Sequence, residues 1–219
     1  MAHKHSSSTK NDKVYMRFRL TYAGPLLGAS KTNPRASHKR DIRMAFHPQL
    51  KHLWEQTSFL KDRKTDPEKP FDALSPNNHI NLQDFLANNF MIDGIGFVPL
   101  VTERWQLHCS LDILFLRPGR SGSIVSGGDL DNRLKTLFDA LRRPLNKQEM
   151  GGGTRELDGE RVFCLLEDDS LIDSVSLETG DLLEPLNKQF RPNDVRLVIT
   201  VNVLPYQATM GNLDFIGRP

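Results

Sequence analysis

Two pairs of aspartates are the residues whose types and spacing most suggest chemistry. Asp129 and Asp131 stand two apart, directly after two glycines. Asp168 and Asp169 are adjacent and follow a short apolar run. Magnesium prefers hard oxygen ligands, usually one or two carboxylates completed by waters and a substrate phosphate. If the backbone between Asp129 and Asp131 is extended, both carboxylates can reach one ion, and the glycines let the chain turn before them. The second pair is a candidate to complete that site.

A lysine follows the first pair on a predicted helix. Apolar residues recur there at the spacing of a buried helical stripe: Leu134, Leu137, Phe138 and Leu141. We therefore predict a helix over 131–143. At about 100° per residue, Asp131, Lys135 and Arg142 fall together along one border of the stripe. Lys135 at that border is a candidate to contact a scissile phosphate or to stabilise developing charge.

The same residues also have an ordinary structural interpretation. Asp131 is a good helix N-cap, and Asp131 with Lys135 forms a common i,i+4 pair worth a few tenths of a kcal/mol. Asp168 and Asp169 can simply form a turn. Spacing alone leaves both interpretations open.

The flanking patterns predict the elements that position these residues. Alternating apolar and polar residues predict half-buried strands over 14–24 and 105–116, and β-branched residues predict a last strand over 195–204. We also expect a strand over 161–166, a strand or short helix over 170–177, a helix from Pro48 to about Thr57, and a short helix capped by Asn81. Loops are predicted over 61–76, 117–128 and 147–160. Strands alternating with helices predict an α/β (α+β) fold, in which a small mixed β-sheet packs with helices.

The composition is that of one ordinary domain. The chain has 219 residues, 38% of them hydrophobic, and contains no apolar run long enough to span a bilayer, so we expect no membrane partner. We expect a flexible N-terminal arm over 1–13 and a single domain over 14–219, with insertions near 58–97 and 144–160. Cys109 and Cys164 lie in apolar runs, so we expect reduced core residues of a cytoplasmic protein.

The net charge of +2 is unevenly distributed. Residues 1–69 carry 15 Lys and Arg against 6 Asp and Glu, whereas residues 70–219 carry 14 against 21. A basic segment beside acidic residues is consistent with a phosphate-binding surface next to a cation site, and equally with a solvated surface that has a basic tail. The residues expected to contact phosphates are Lys39, Arg40, Arg43, Arg117, Arg120 and Arg142.

The run from Asp129 to Leu141 resembles the signature of the RusA family of Holliday junction resolvases. It has Asp-x-Asp-Asn, a lysine four residues after the second aspartate, and then Phe-Asp-Ala-Leu. The run from Leu166 to Ile172 resembles that family's Asp-Asp turn, whose second aspartate is a metal ligand. The motif-bearing parts cover roughly half of the chain, over 105–143 and 161–204, and family members are usually much shorter.

The resemblance implies a homodimeric, Mg²⁺-dependent endonuclease, with Mn²⁺ as a substitute ion, that cleaves four-way junctions or other branched DNA in recombination and repair. It implies hydrolysis to a 5′-phosphate and a 3′-hydroxyl. Carried over by position, the metal ligands are Asp129, Asp131 and Asp169, the catalytic lysine is Lys135, and the supporting residues are Asn132 and Asp168. Two alternatives remain open: a non-catalytic DNA-binding accessory protein of the same fold, and a metal-stabilised interaction domain without nucleic acid.

Overall fold

The computed structural model describes residues 16–29, 34–66, 80–118, 129–152, 161–183 and 193–216. Within these ranges the chain has a mixed α+β fold with four α-helices and three sheets. The helices are α1 (Ala36–Gln56), α2 (Ser58–Lys61), α3 (Leu82–Asn89) and α4 (Asp129–Leu141). The strands are β1 (Met16–Pro25), β2 (Lys64–Thr65), β3 (Ile80–Asn81), β4 (Met91–Ile92), β5 (Ile95–Val101), β6 (Leu107–Arg117), β7 (Arg161–Leu166), β8 (Ile172–Asp181) and β9 (Asp194–Pro205).

The main sheet has four strands in the order β1-β9-β6-β8. β9 pairs antiparallel with both β1 and β6, whereas β8 runs parallel to β6. The predicted alternation of β6 is confirmed, because every second residue is buried: Leu107, Cys109, Leu111, Ile113 and Phe115. Strand alternation therefore assigned the core-facing side of this sheet correctly.

Helix α1 begins twelve residues before the position that the sequence predicted. Pro48 lies inside the helix rather than in its first turn. A proline inside a helix removes one backbone hydrogen bond and costs about 3 kcal/mol. The helix continues through it because one stripe is buried at four-residue spacing, and its members are Ile42, Phe46, Leu50 and Trp54. The stabilisation that α1 gains by packing against α4, β1 and β7 thus exceeds the free-energy cost of the proline inside it.

The described parts of the segment 58–97, which are 58–66 and 80–97, contribute buried residues to the core. The predicted cap is confirmed, since the Asn81 side chain accepts a hydrogen bond of 2.8 Å from the Gln83 amide. The strand β5, which the sequence did not predict, is buried at all seven positions and pairs parallel with β7. A strand buried on both faces shows no alternation, so periodicity carried no signal for it.

Both cysteines are buried free thiols, as predicted for Cys109 and Cys164. Burial raises the pKa of the Cys109 thiol to about 12. Neither cysteine is therefore a reactive thiolate near neutral pH. No α-helix within the described ranges combines the length and apolar composition needed to cross a membrane.

Candidate functional site

Helix α4 carries the first acidic motif. It begins at Asp129, so the backbone between Asp129 and Asp131 is helical rather than extended, which corrects the expectation from the sequence. Residues two apart on a helix do not share a face, so this backbone by itself does not bring the pair to one point. The structure describes Asp129 by its backbone only. Asp131 is an exposed residue of the first turn and is not the N-cap.

The exposed stripe of α4 brings Asp131 and Lys135 together, one turn apart. Asn132 is also exposed, whereas the opposite side of the helix is buried through Thr136, Leu137, Ala140 and Leu141. Both Asp131 and Lys135 are thus exposed, whereas Arg142, which was predicted on the same border, is buried and follows the helix. Residues Leu134 and Phe138 on the same stripe are only partly buried.

Asp169 lies at the other end of this helix. Its Oδ1 atom is 4.0 Å from Nε of Arg142, the residue that follows α4. Arg142 is eleven residues after Asp131, which corresponds to about 16 Å of helical rise. Two carboxylates that share one Mg²⁺ have oxygens about 2.1 Å from it. Asp169 therefore lies nearer to the end of α4 than to its start, where Asp131 stands.

Asp168 organises the turn that carries Asp169. Its Oδ1 atom accepts a hydrogen bond of 3.0 Å from the Ser170 amide, at the start of a short 3₁₀ turn over Asp169–Leu171. The hydrogen bonds from Ser170 lower the pKa of the Asp168 carboxyl below its ordinary value. The Asp169 side chain remains 47% exposed. The turn thus presents an exposed carboxylate next to the end of α4.

Three of the basic residues expected to contact phosphates instead converge on the buried Asp139. Lys39 Nζ lies 2.6 Å from one Asp139 oxygen, and Arg142 Nη2 lies 3.2 Å from the other. Arg43 is buried and donates hydrogen bonds to the backbone carbonyls of Asp139 and Arg142. Burial lowers the pKa of Arg43 to about 10. In this structure Lys39, Arg43 and Arg142 join α1 to α4, and their side chains are largely buried.

Arg142 also fixes the segment that follows α4. Its Nη1 atom lies 2.9 Å from Oε2 of Glu149, and that carboxylate also accepts a hydrogen bond from the Leu145 amide. Burial acts to lower the pKa of Arg142, but the hydrogen bond and charge of Glu149 more than offset it and raise that pKa above its ordinary value. The described part of the 144–160 segment is therefore held by ionic contacts to the helix.

The remaining basic candidates have different outcomes. Arg40 and Arg117 are partly exposed, and Arg120 lies outside the described residues. The chain around Gly28 packs against the first two turns of α4, and the Ala29 amide donates a 3.0 Å hydrogen bond to Thr136 Oγ1. A Cβ atom at Gly28 would lie 3.0 Å from Cβ of Asn132. Gly28 and Ala29, which lie within the basic segment 1–69, are therefore adjacent to the exposed motif.

Asp139 is a structurally important residue that the sequence pattern did not single out. Its i,i+3 relation to Arg142 was available as a signal, but Lys39 lies 100 positions earlier and no local pattern connects the two.

Within the described side chains, no group of three or more His, Cys, Asp or Glu residues is arranged to hold a metal ion. No protein-family model, curated protein or solved structure matches the chain. The relation to the RusA family therefore stays a resemblance carried by the two acidic motifs.

Proposed function

We propose that the protein is a metal-dependent endonuclease of the RusA type, acting on branched DNA. The observation that carries the proposal is the stripe of α4, on which Asp131 and Lys135 are exposed one turn apart. Gly28 approaches the same end of α4, and its carbonyl accepts a hydrogen bond from Arg35. A carboxylate, an ammonium and neighbouring positive charge together match the needs of phosphodiester hydrolysis. A cytoplasmic location belongs to the same proposal and is supported by the two buried free thiols.

The donor chemistry suits Mg²⁺, with Mn²⁺ as a substitute, because every proposed ligand is a carboxylate oxygen. Asp129, Asp131 and Asp169 would hold the ion. A cation bound there would neutralise phosphate charge and lower the pKa of a water molecule. Lys135 would approach a phosphate oxygen from the same face of α4 and stabilise the charge that develops on it.

The first turn of α4 must open for Asp129 and Asp131 to act on one ion. The first four amides of a helix have no partner within the helix, so unwinding its first residue sacrifices one carbonyl hydrogen bond. That loss is worth about 1 kcal/mol, which the attraction between a divalent cation and two carboxylates can offset. We propose that ion binding and extension of this turn occur together.

The third carboxylate would come from a second copy of the chain. Asp131 stands in the first turn of α4 and Asp169 lies beside Arg142, which follows its last turn, and this arrangement favours a site that takes Asp169 from the other copy. In a two-fold dimer with antiparallel α4 helices, the end that carries Asp169 in one copy lies towards the end that carries Asp131 in the other. Two equivalent composite sites would result. This number suits a four-way junction, which presents two opposed strands for cleavage.

DNA contacts are proposed for Arg40 and Arg117, and for Arg120 in the loop that precedes α4. Such contacts would be to phosphates and would be independent of sequence. We do not extend this role to the inward-facing Lys39, Arg43 and Arg142, because their side chains are held by Asp139 and by backbone carbonyls.

A second candidate is a non-catalytic DNA-binding accessory protein of the same fold. The separation of Asp131 from Asp169 within one chain favours it, because the protein would then bind junctions without ever assembling a metal site. This candidate uses the same basic residues and differs from the first only in the acidic ones.

The test is incubation of the protein with an end-labelled four-way junction in Mg²⁺, in Mn²⁺ and in EDTA. We expect paired, symmetric cuts that require the metal, and binding without cutting by Asp131→Asn. The matched control is Asp112→Asn, which alters an exposed aspartate on the opposite face of β6 and should cut normally. Retarded but uncut DNA in every metal would support the accessory protein, and no retardation at all would exclude both candidates.

A further inference from the structure

Residues 26–29, which we call the strap, lead from β1 to the proposed site on α4. The Leu26 side chain is fully buried and anchors the start of the strap. At its other end, the Ala29 amide donates a 3.0 Å hydrogen bond to Oγ1 of Thr136, and that hydroxyl donates in turn to the Asn132 carbonyl. The strap is thereby tied to the first two turns of α4.

The middle of the strap is held by a histidine of α1. The Leu27 amide donates a 3.1 Å hydrogen bond to Nε2 of His38. A ring nitrogen that accepts a hydrogen bond carries no proton, so His38 is neutral in this contact and bears its proton on Nδ1. A protonated imidazole donates from both nitrogens, and its Nε2–H would face the N–H of Leu27. Two donors do not bond to each other, so the contact exists only while His38 is neutral.

The surroundings of His38 favour the neutral form. Burial lowers the pKa of its imidazole below the ordinary value of 6.5. On the same helix, the charge of Asp41 acts to raise this pKa, and the charge of Arg35 acts to lower it. The closed strap and the proton on His38 therefore oppose each other. The stability of the closed strap is fully present above pH 6.5 and is lost as the pH falls through the lowered pKa.

The strap itself has no ionisable side chain, and the neighbouring elements turn other charged groups towards α1. Asp139 of α4 is paired with Lys39 at 2.6 Å. Burial is the main cause that raises the pKa of Tyr22 in β1 to about 12, so this phenol stays neutral near neutral pH. Arg133 of α4 donates a 3.0 Å hydrogen bond to the side chain of Asn193. Histidine is the side chain that ordinarily changes charge near neutral pH, so the proton on His38 controls the strap there.

We propose that His38 is a pH-operated switch for the first turn of α4. While His38 is neutral, the strap is held at Leu27 and packs closely on the helix, since a Cβ atom at Gly28 would lie 3.0 Å from Cβ of Asn132. When His38 takes up a proton, the strap loses its middle contact and its grip on α4 weakens. The first turn, which carries Asp131, then opens more readily. In this last respect the switch rests on the proposed function, because ion binding there requires this turn to open.

Amide hydrogen exchange of the full chain, without DNA or metal, tests the switch in peptides that cover the strap and the first half of α4. Wild type is compared at each pH with His38→Gln, whose side-chain oxygen accepts at every pH, and with His38→Phe, which never accepts. At about pH 7.5, wild type should exchange as slowly as His38→Gln. At about pH 5.5, it should exchange about two- to tenfold faster than His38→Gln and match His38→Phe, because one hydrogen bond worth about 0.5–1.5 kcal/mol is lost.

His52→Gln is the matched control, because His52 is an exposed histidine of the same helix. It should behave as wild type at both pH values. His47 of α1 also accepts an amide hydrogen bond, from Phe163 of β7, so peptides of β7 report on that histidine and are read separately. Wild type that exchanges like His38→Gln at both pH values would overturn the switch, and a response confined to the strap would overturn its link to α4.

An NMR titration of the wild-type protein needs no variant. The Leu27 amide and the His38 imidazole should shift with one common midpoint below pH 6.5. A Leu27 amide that does not move while His38 titrates would overturn the switch. Junction cleavage is measured apart: cutting by a protein whose strap does not respond to acid would overturn the switch alone, and a responding strap without cutting would overturn the nuclease alone.

Discussion

Replacement of Asp139 by asparagine should separate stability from activity within a single motif. Asp139 is 7% exposed and lies 2.6 Å from Lys39 and 3.2 Å from Arg142. Asparagine keeps the shape of the side chain but removes the charge, which leaves two inward-facing cations without their shared carboxylate. Removing one partner of a buried ion pair costs about 3–5 kcal/mol. Because Arg142 keeps Glu149, we expect the lower end of that range, about 3 kcal/mol.

Urea unfolding followed by circular dichroism, together with thermal melting, measures this loss. For a chain of this size, a loss of about 3 kcal/mol corresponds to a decrease in Tm of roughly 6–12 °C. Asp131→Asn is the matched control, since Asp131 is exposed on the same helix and its substitution should change stability by no more than about 0.5 kcal/mol. If the two variants unfold at the same urea concentration, the network around Asp139 does not hold α1 to α4 and the argument fails.

Three further predictions follow from the structure. Burial acts to raise the pKa of Glu149, but hydrogen bonds from Arg142 and from the Leu145 amide lower it below its ordinary value. The ionised Glu149 carboxylate therefore stabilises the fold at pH values above the ordinary pKa of glutamate. This stabilisation is lost as the pH falls through the lowered pKa of the folded protein. In urea titrations, Glu149→Gln should be less stable than wild type at pH 7 and equally stable in acid. Gly151 has a φ of 74°, and a Cβ there would lie 2.5 Å from the Ala36 carbonyl oxygen, so Gly151→Ala should destabilise the protein by more than about 2 kcal/mol. Gly152→Ala, at φ 79° with open space around it, should cost only about 1 kcal/mol, and equal losses in denaturant would refute the clash. Junction affinity should fall linearly with the logarithm of salt concentration because counterions are released, and a flat titration would exclude phosphate contacts as its source.

The elements with clear periodicity could be predicted from the sequence. The alternation in β6 and the stripe of α4 both reflect one buried face, and the structure has them with shifts of about two residues at their ends. Fully buried β5 could not be found in this way, because a strand covered on both faces has no polar positions to mark it. The start of α1 was predicted wrongly, because Pro48 was expected in the first turn of a helix. Burial of the stripe from Ile42 to Trp54 stabilises the helix by more than Pro48 destabilises it.

The candidate site was only partly predictable for a different reason. Exposure of Asp131 and Lys135 follows from the helical stripe and is a local property of the sequence. The inward orientation of Lys39 and Arg43 depends on Asp139, about a hundred positions away, and a basic run carries no information about such a partner. The position of Asp169 likewise depends on where β7 ends relative to α4, which is set by the tertiary packing of the chain.

Mixing two inactive variants tests the central claim most directly. Asp131→Asn and Asp169→Asn should each bind a labelled four-way junction and fail to nick it in Mg²⁺. If Asp131 of one copy works with Asp169 of the other, a mixed dimer of the two variants contains one intact site. Random exchange makes half of the dimers mixed, so the mixture should recover about a quarter of the wild-type sites. Wild-type cleavage with no recovery in the mixture would contradict a metal site shared between two copies, and absence of Mg²⁺-dependent nicking by the wild type would contradict the nuclease itself.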